Sequence, residues 1–172
     1  DTEQERRAVV SAGEGLIPTH LVDALAEGRA HDPFSLLGPH MAEYARARGH
    51  TLTFFNRGKT NPGVLPDVER IQGDRNGQLQ GLAGRKWDAV IDNSGYVPRH
   101  VRLSAEMLHA SVPHYVFIST VSVYASFASA NDEDSPVGKL ADESVEQVDG
   151  ETYGPLKALC ESAARSVYGP AA

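Results

Sequence analysis

Tyr153 and Lys157 stand four residues apart in the stretch Thr152-Tyr153-Gly154-Pro155-Leu156-Lys157-Ala158-Leu159-Cys160. In a helix, residues at i and i+4 project from one face, so this spacing would set a phenol beside an ammonium. An ammonium near a phenol favours the phenolate, and a phenol tuned in this way can exchange a proton with a substrate hydroxyl. The pair is a candidate acid/base device. Tyr-x-x-x-Lys also occurs on solvated helix faces, so the surroundings must decide. Leu156, Cys160, Ala163 and Val167 recur at helical spacing and would fix the face against a core. Pro155 is compatible with a helix, since a first-turn proline lacks only an N–H that would have had no partner.

Few other residues offer chemistry of their own. His31 and Asp32 are adjacent and have no third ligand at metal-binding spacing, so they read as a turn and no metal is expected. The single Cys160 permits no internal disulfide, and its place on the helical stripe reads as packing, which suits a cytoplasmic protein. A net charge of −7 provides no field for nucleic acid or an anionic membrane, although Arg46 and Arg48 could locally meet a phosphate. No apolar run approaches the ~20 residues needed to span a bilayer, and Asp1–Arg7 does not resemble a secretory signal. A small-molecule partner is expected, and the oligomeric state is not set by the sequence. The chain opens without methionine and is expected to be a fragment.

Positioning the pair requires a scaffold. Ile17, Leu21, Val22 and Leu25 predict a short amphipathic helix ending near Gly28. From Gly38 onward the pattern alternates between strands and helices, the signature of a parallel sheet covered on both faces. A helix is expected from Met41 to Arg48 and strands at Thr51–Phe55, Val68–Ile71, Trp87–Asp92 and His114–Ile118. A short helix should carry Leu79 and Leu82, and a longer one should run from about Pro98 to His109. In such open sheets ligands bind beyond the carboxyl ends of the strands. The polar loops Asn56-Arg57-Gly58-Lys59-Thr60, Gly73-Asp74-Arg75 and Asn93-Ser94-Gly95-Tyr96, together with Ser119 to Tyr124, fall there.

Two resemblances follow from these residues. Glu27-Gly28-Arg29-Ala30-His31-Asp32-Pro33-Phe34-Ser35-Leu36-Leu37-Gly38-Pro39-His40 resembles the segment that opens the amino-terminal module of glycogen branching enzymes, a likeness covering roughly residues 17–40 and carrying no chemistry. Asn56-Arg57-Gly58, Gly73-Asp74, Ser94-Gly95-Tyr96, Ile118 to Tyr124 and Tyr153-x-x-x-Lys157 resemble, in order and spacing, the NAD(P)-dependent epimerase/dehydratases, extended members of the short-chain dehydrogenase/reductase superfamily. This second likeness spans about residues 37–168.

The second resemblance implies an α/β, Rossmann-like doubly wound parallel sheet and hydride transfer at a sugar or related carbinol, with a nucleotide sugar as one candidate substrate. It implies Tyr153 as general acid/base and Lys157 as the group that holds the nicotinamide ribose and tunes the phenol. Thr120 falls where the family's hydroxyl orients the substrate, with Ser119 and Ser122 as near alternatives and capping of the strand end as its other reading. Asn56 and Arg57 close the second strand, and Arg57 favours NADP over NAD because a guanidinium suits the 2′-phosphate. Its other reading is a solvated turn. Asp74 is implied as the adenine contact, while Ser94, Gly95 and Tyr96 lie where the backbone nears the cofactor.

The family's opening strand and its G-x-x-G-x-x-G turn have only one counterpart, Gly38 in Leu37-Gly38-Pro39-His40. Residues 1–37 are therefore expected to be an atypical extension and residues 38–172 a partial dinucleotide-binding domain. The first strand and a carboxyl-terminal substrate domain are expected to be missing or replaced. Arg7 to Gly15 offers a strand and a G-x-G turn, but the apolar run is short and Glu14 would repel phosphate. On this reading the central place in the sheet is filled poorly and activity is impaired. The alternative is a noncatalytic binding or assembly module tied to glucan.

Overall fold

The computed structural model describes residues 7–11, 34–58, 63 and 65–169. Five parallel strands form one sheet: β1 (Arg7–Ser11), β2 (Thr51–Asn56), β3 (Glu69–Gln72), β4 (Ala89–Asp92) and β5 (His114–Phe117), in the order β3-β2-β1-β4-β5. Among the described residues, three helices accompany them: α1 (Phe34–Ala47), α2 (Pro98–Leu108) and α3 (Tyr153–Tyr168). The sheet order reverses at β1, as expected of a Rossmann-like doubly wound fold.

The first strand, expected to be missing or replaced, is supplied by Arg7–Ser11, and its pairing on both sides corrects the expectation that the central place is filled poorly. β1 pairs in parallel with β2, Arg7 opposite Thr51 and Val10 opposite Phe54, and with β4, Ala8 opposite Ala89 and Ser11 opposite Asp92. Its five residues are enough because the flanking strands are themselves four to six residues long. A central strand is bonded on both edges, so a short apolar run suffices where a sequence pattern alone looks deficient. The sheet thus draws on residues on both sides of Gly38. The expected helix at Ile17–Leu25 and the Gly13/Gly15 turn lie outside the described residues.

Local chemistry explains most boundaries. α1 begins upstream of its expected start at Met41 and carries Pro39 inside it; it ends where Gly49, at φ +79°, donates to the Arg46 carbonyl. The expected short helix at Leu79 is a single 3-10 turn, Gln80–Leu82. Side chains alternate across β2: Leu52 and Phe54 pack with Ala42 of α1 and with Val68, while Phe55 joins the opposite core. That larger core gathers Trp87, Val90, Val101, Ala105, Leu108 and Tyr115 against Cys160, Ala163 and Ala164 of α3. Helices therefore cover both faces, and α2 and α3 pack side by side on one of them. No helix among the described residues is long and apolar enough to cross a membrane.

Candidate functional site

The start of α3 is fixed by its own sequence. Asp149 Oδ1 accepts the backbone N–H groups of Glu151 and Thr152 at 3.0 Å each, and the Tyr153 N–H donates to the Asp149 carbonyl. These bonds satisfy amides that an unwound helix end would leave open, and with the Thr152 hydroxyl they hold the Asp149 carboxyl below its ordinary range. Pro155 sits in the first turn, where its missing N–H does no harm. Gly154 is buried against the 3-10 turn Val121–Val123, and a Cβ there would lie 2.1 Å from the Ser122 carbonyl oxygen. Glycine is what lets the tyrosine end of α3 touch the turn that follows β5.

Lys157, one helical turn beyond Tyr153, is completely buried. Its Nζ donates to the carbonyls of Gly95, 2.9 Å away in the loop after β4, and Ile118, 2.7 Å away at the end of β5. The Phe117 ring centroid lies 4.0 Å from the ammonium, and the Tyr96 centroid 5.8 Å. Burial disfavours the charged form and pulls the Lys157 pKa down to about 8. Tyr153 is half-buried, and its ring stands 6.3 Å from that of Tyr96, centroid to centroid. The structure thus assembles Tyr153, Lys157 and Tyr96 at the carboxyl ends of β4 and β5.

Thr120 lies at the same edge, where its Oγ1 accepts the Ser122 N–H and donates to the Ser122 hydroxyl, both at 3.2 Å. The hydroxyl caps the Val121–Val123 turn, so the capping geometry of its other reading is observed. Ser119 Oγ is buried and has no hydrogen-bond partner among the described residues. It is an orphaned polar atom at the edge where a ligand would lie.

At the other end of the edge the residues are exposed or half-buried. Asn56 Oδ1 accepts the Gly58 N–H at 3.0 Å, and Gly58 takes the turn at φ +69°. Arg57 is exposed, and its carbonyl accepts Gln72 Nε2 at 2.9 Å. Asp74 Oδ1 accepts the Asn76 N–H at 2.9 Å. Gly38 is buried within α1 and does not form a turn at a strand end. Gly95 is demanded by packing, since a Cβ there would meet both Phe117 and Val101 at 2.6 Å.

Sequence reasoning overlooked a buried polar cluster beneath this edge. Arg75 grips Asp92 through Nη1 to Oδ1 at 2.7 Å and Nη2 to Oδ2 at 2.6 Å. The same guanidinium reaches Ser94 Oγ at 3.2 Å and Ser104 Oγ at 3.0 Å, and the Tyr115 hydroxyl donates to Asp92 Oδ2 at 2.6 Å. Burial alone would raise the Asp92 pKa, but the Arg75 charge and the hydrogen bonds of Arg75 and Tyr115 outweigh it and hold the carboxyl below its ordinary value. The available signal was Asp92 itself, an acid closing the apolar strand Ala-Val-Ile, which must be paired if buried. Among the described residues, no three His, Cys, Asp or Glu side chains are grouped to hold a metal.

No family model and no curated protein matches the sequence. Solved structures do match in fold. A UDP-galactose 4-epimerase superposes with a TM-score of 0.64 at 18% identity, over 93% of this chain and 50% of its own. MoeE5 in complex with UDP-glucose and NAD gives 0.60 at 17%, over 94% and 48%. The Bordetella bronchiseptica enzyme WbmG in complex with NAD gives 0.64 at 15%, over 96% and 51%. At these identities the likeness shows the fold, and the chain spans about half the length of the structures it matches. None of these three supports the branching-enzyme resemblance of residues 17–40.

Proposed function

We propose that the chain is the dinucleotide-binding half of an NAD(P)-dependent epimerase/dehydratase-type oxidoreductase that removes or returns a hydride at a sugar carbinol, with a nucleotide sugar as substrate class. The observation that carries this reading is Lys157, buried one helical turn from Tyr153 and bonded to the ends of β4 and β5, while Gly154 seats α3 against the turn capped by Thr120. Three solved structures of the same fold support it, two described as complexes with NAD and one as a UDP-galactose 4-epimerase.

A bound nicotinamide dinucleotide would supply the hydride acceptor. Tyr153, as phenolate, takes the proton of the substrate hydroxyl as that carbon loses hydride, and returns it in the reverse direction. Thr120 and Ser122 present hydroxyls beside it that orient the substrate oxygen, and Ser119 Oγ offers an unused donor at the same edge. Lys157, one helical turn away, would supply positive charge to the site, and with a pKa near 8 it stays largely charged at neutral pH. Ribose binding through Lys157 shares an ammonium already held by two carbonyls.

The strand ends fit such a dinucleotide in part. Arg57 is exposed at the end of β2 and suits the 2′-phosphate of NADP, whereas the matched structures that name a cofactor name NAD. Asp74 and the Ser94–Tyr96 loop line the same edge, with Asp74 as the adenine contact. Gly38, buried within α1 and not at a strand-end turn, favours a second reading, a noncatalytic binding or assembly module. A cytoplasmic location belongs to the first reading and rests on the single cysteine.

Titration with NAD and NADP, followed by single-turnover hydride transfer with nucleotide sugars, separates the two. The enzyme reading expects dinucleotide binding, and in the complete protein it expects transfer that Tyr153→Phe abolishes with affinity nearly intact. Absence of binding by either dinucleotide would leave the module reading standing.

A further inference from the structure

Asp92 connects two parts of the protein that the acid/base reading treats separately. Its carboxylate, 1% exposed, is held by Arg75 from the loop after β3 and by Tyr115 of β5, while its carbonyl accepts the Ile118 N–H at 2.8 Å. Asp92 Oδ1 also accepts the Ser94 N–H at 3.2 Å, and Arg75 reaches the Ser94 hydroxyl. The next residue is Gly95, whose carbonyl receives Lys157 Nζ; the other acceptor, Ile118, is the residue whose N–H is tied to Asp92. Both acceptors of the lysine are therefore fixed through Asp92, and Asp92 is oriented by the two-pronged grip of Arg75.

We propose that Arg75 is a positioning residue for Lys157: by locking Asp92 and Ser94 it fixes the strand-end carbonyls of Gly95 and Ile118 at the distances that hold the buried ammonium. A planar guanidinium suits this task because it bonds both carboxylate oxygens at once and still has donors for Ser94 and Ser104. A lysine at position 75 would bring charge without the fork. The consequence for catalysis rests on the proposed acid/base reading of Tyr153 and Lys157, but the geometric inference does not.

The test follows the Lys157 ammonium directly by NMR in protein labelled at its lysine Nζ atoms, with exposed Lys86 and Lys139 as internal references. The double variant Arg75→Met/Asp92→Leu removes the buried pair without leaving either charge stranded, and Arg75→Lys retains the charge alone. Both should keep the native circular dichroism. In both, hydrogen exchange at the Lys157 ammonium should accelerate tenfold or more while Lys86 and Lys139 stay unchanged.

The Lys157 titration midpoint provides a second readout that a purely structural role would not move. The charged or titratable groups that act on it are Asp92 and Arg75 across the core and Cys160 and Glu161 on its own helix. Arg75→Lys, which keeps the charge, should shift the midpoint upward from about 8, because an ammonium released from its two carbonyls is less completely buried. Unchanged exchange in a folded double variant would overturn the proposal. So would loss of the fold in both the double variant and Arg75→Lys, since the pair would then serve stability and not position. Dinucleotide titration of the unaltered protein is scored separately, so failure of the oxidoreductase reading cannot be mistaken for failure of this one.

Discussion

The two ends of the strand-end edge are built on different principles. Around β4, β5 and α3, two buried cations are bonded across long sequence distances, Lys157 to Gly95 and Ile118 and Arg75 to Asp92 and Ser104, and Gly154 packs against Ser122. At the ends of β2 and β3, Asn56, Arg57, Gln72 and Asp74 are exposed or half-buried; Asn56 and Asp74 bond within their own turns, to Gly58 and Asn76, and Gln72 reaches the Arg57 carbonyl. A device that moves a proton must keep its groups in fixed register, whereas a surface that grips a charged ligand can be ordered by the ligand itself. The difference assigns precision to one end and adaptability to the other.

The largest test of this contrast is Asp92→Ala, which strands the Arg75 guanidinium in the core. Chemical denaturation should show a loss of about 3–5 kcal/mol, the usual penalty for breaking a buried pair on one side. Gly154→Ala comes next. The added methyl must push α3 away from the Ser122 carbonyl, and overpacking of this kind costs about 1–3 kcal/mol. The same variant should lower single-turnover hydride transfer in the complete protein, and unchanged transfer would separate the α3 seat from the chemistry.

At the adaptable end, Arg57→Ala should leave the melting temperature unaltered and weaken NADP by about 1.5–3 kcal/mol, with NAD unaffected. Calorimetric titration of both dinucleotides decides it, and equal loss for both removes Arg57 from phosphate recognition. The smallest effect is expected at Arg85, whose bidentate bonds to Glu69 are solvent-exposed. Arg85→Ala should change stability by about 0–1 kcal/mol, and less as salt is raised.

Lys157 adds a pH signature to the precise end. Its folded pKa of about 8 lies below the ordinary 10.5, so the unfolded chain binds the extra proton between these values. Its contribution is fully present above 10.5 and is lost as pH falls through 8. Lys157→Met should therefore flatten the rise in unfolding free energy between about pH 8 and 10.5, measured by denaturant titration at each pH.

Element types were legible wherever periodicity was strong. The β-branched and aromatic run at Thr51–Asn56, the apolar stripe of α3 and the Pro98 start of α2 all formed close to where spacing alone puts them. Arg7–Ser11 was undervalued because its apolar core is only Ala-Val-Val, and a sequence does not reveal that a strand will be bonded on both edges. The contact between Gly154 and Ser122 and the pairing of Arg75 with Asp92 were equally hidden, because each joins residues that are distant along the chain.

By itself, the sequence determined the residue types and their local phase: a tyrosine and a lysine on one helical face, hydroxyls after an apolar strand, and an arginine after another. Periodicity and turn chemistry act over a few residues and so can be read directly. Only the tertiary structure decided that Lys157 would be buried against two strand-end carbonyls and that Arg75 would cross beneath the edge to Asp92. Those outcomes depend on which strands become neighbours in the sheet. A buried charge finds its partner only when the core closes around it, because in water neither charge needs one.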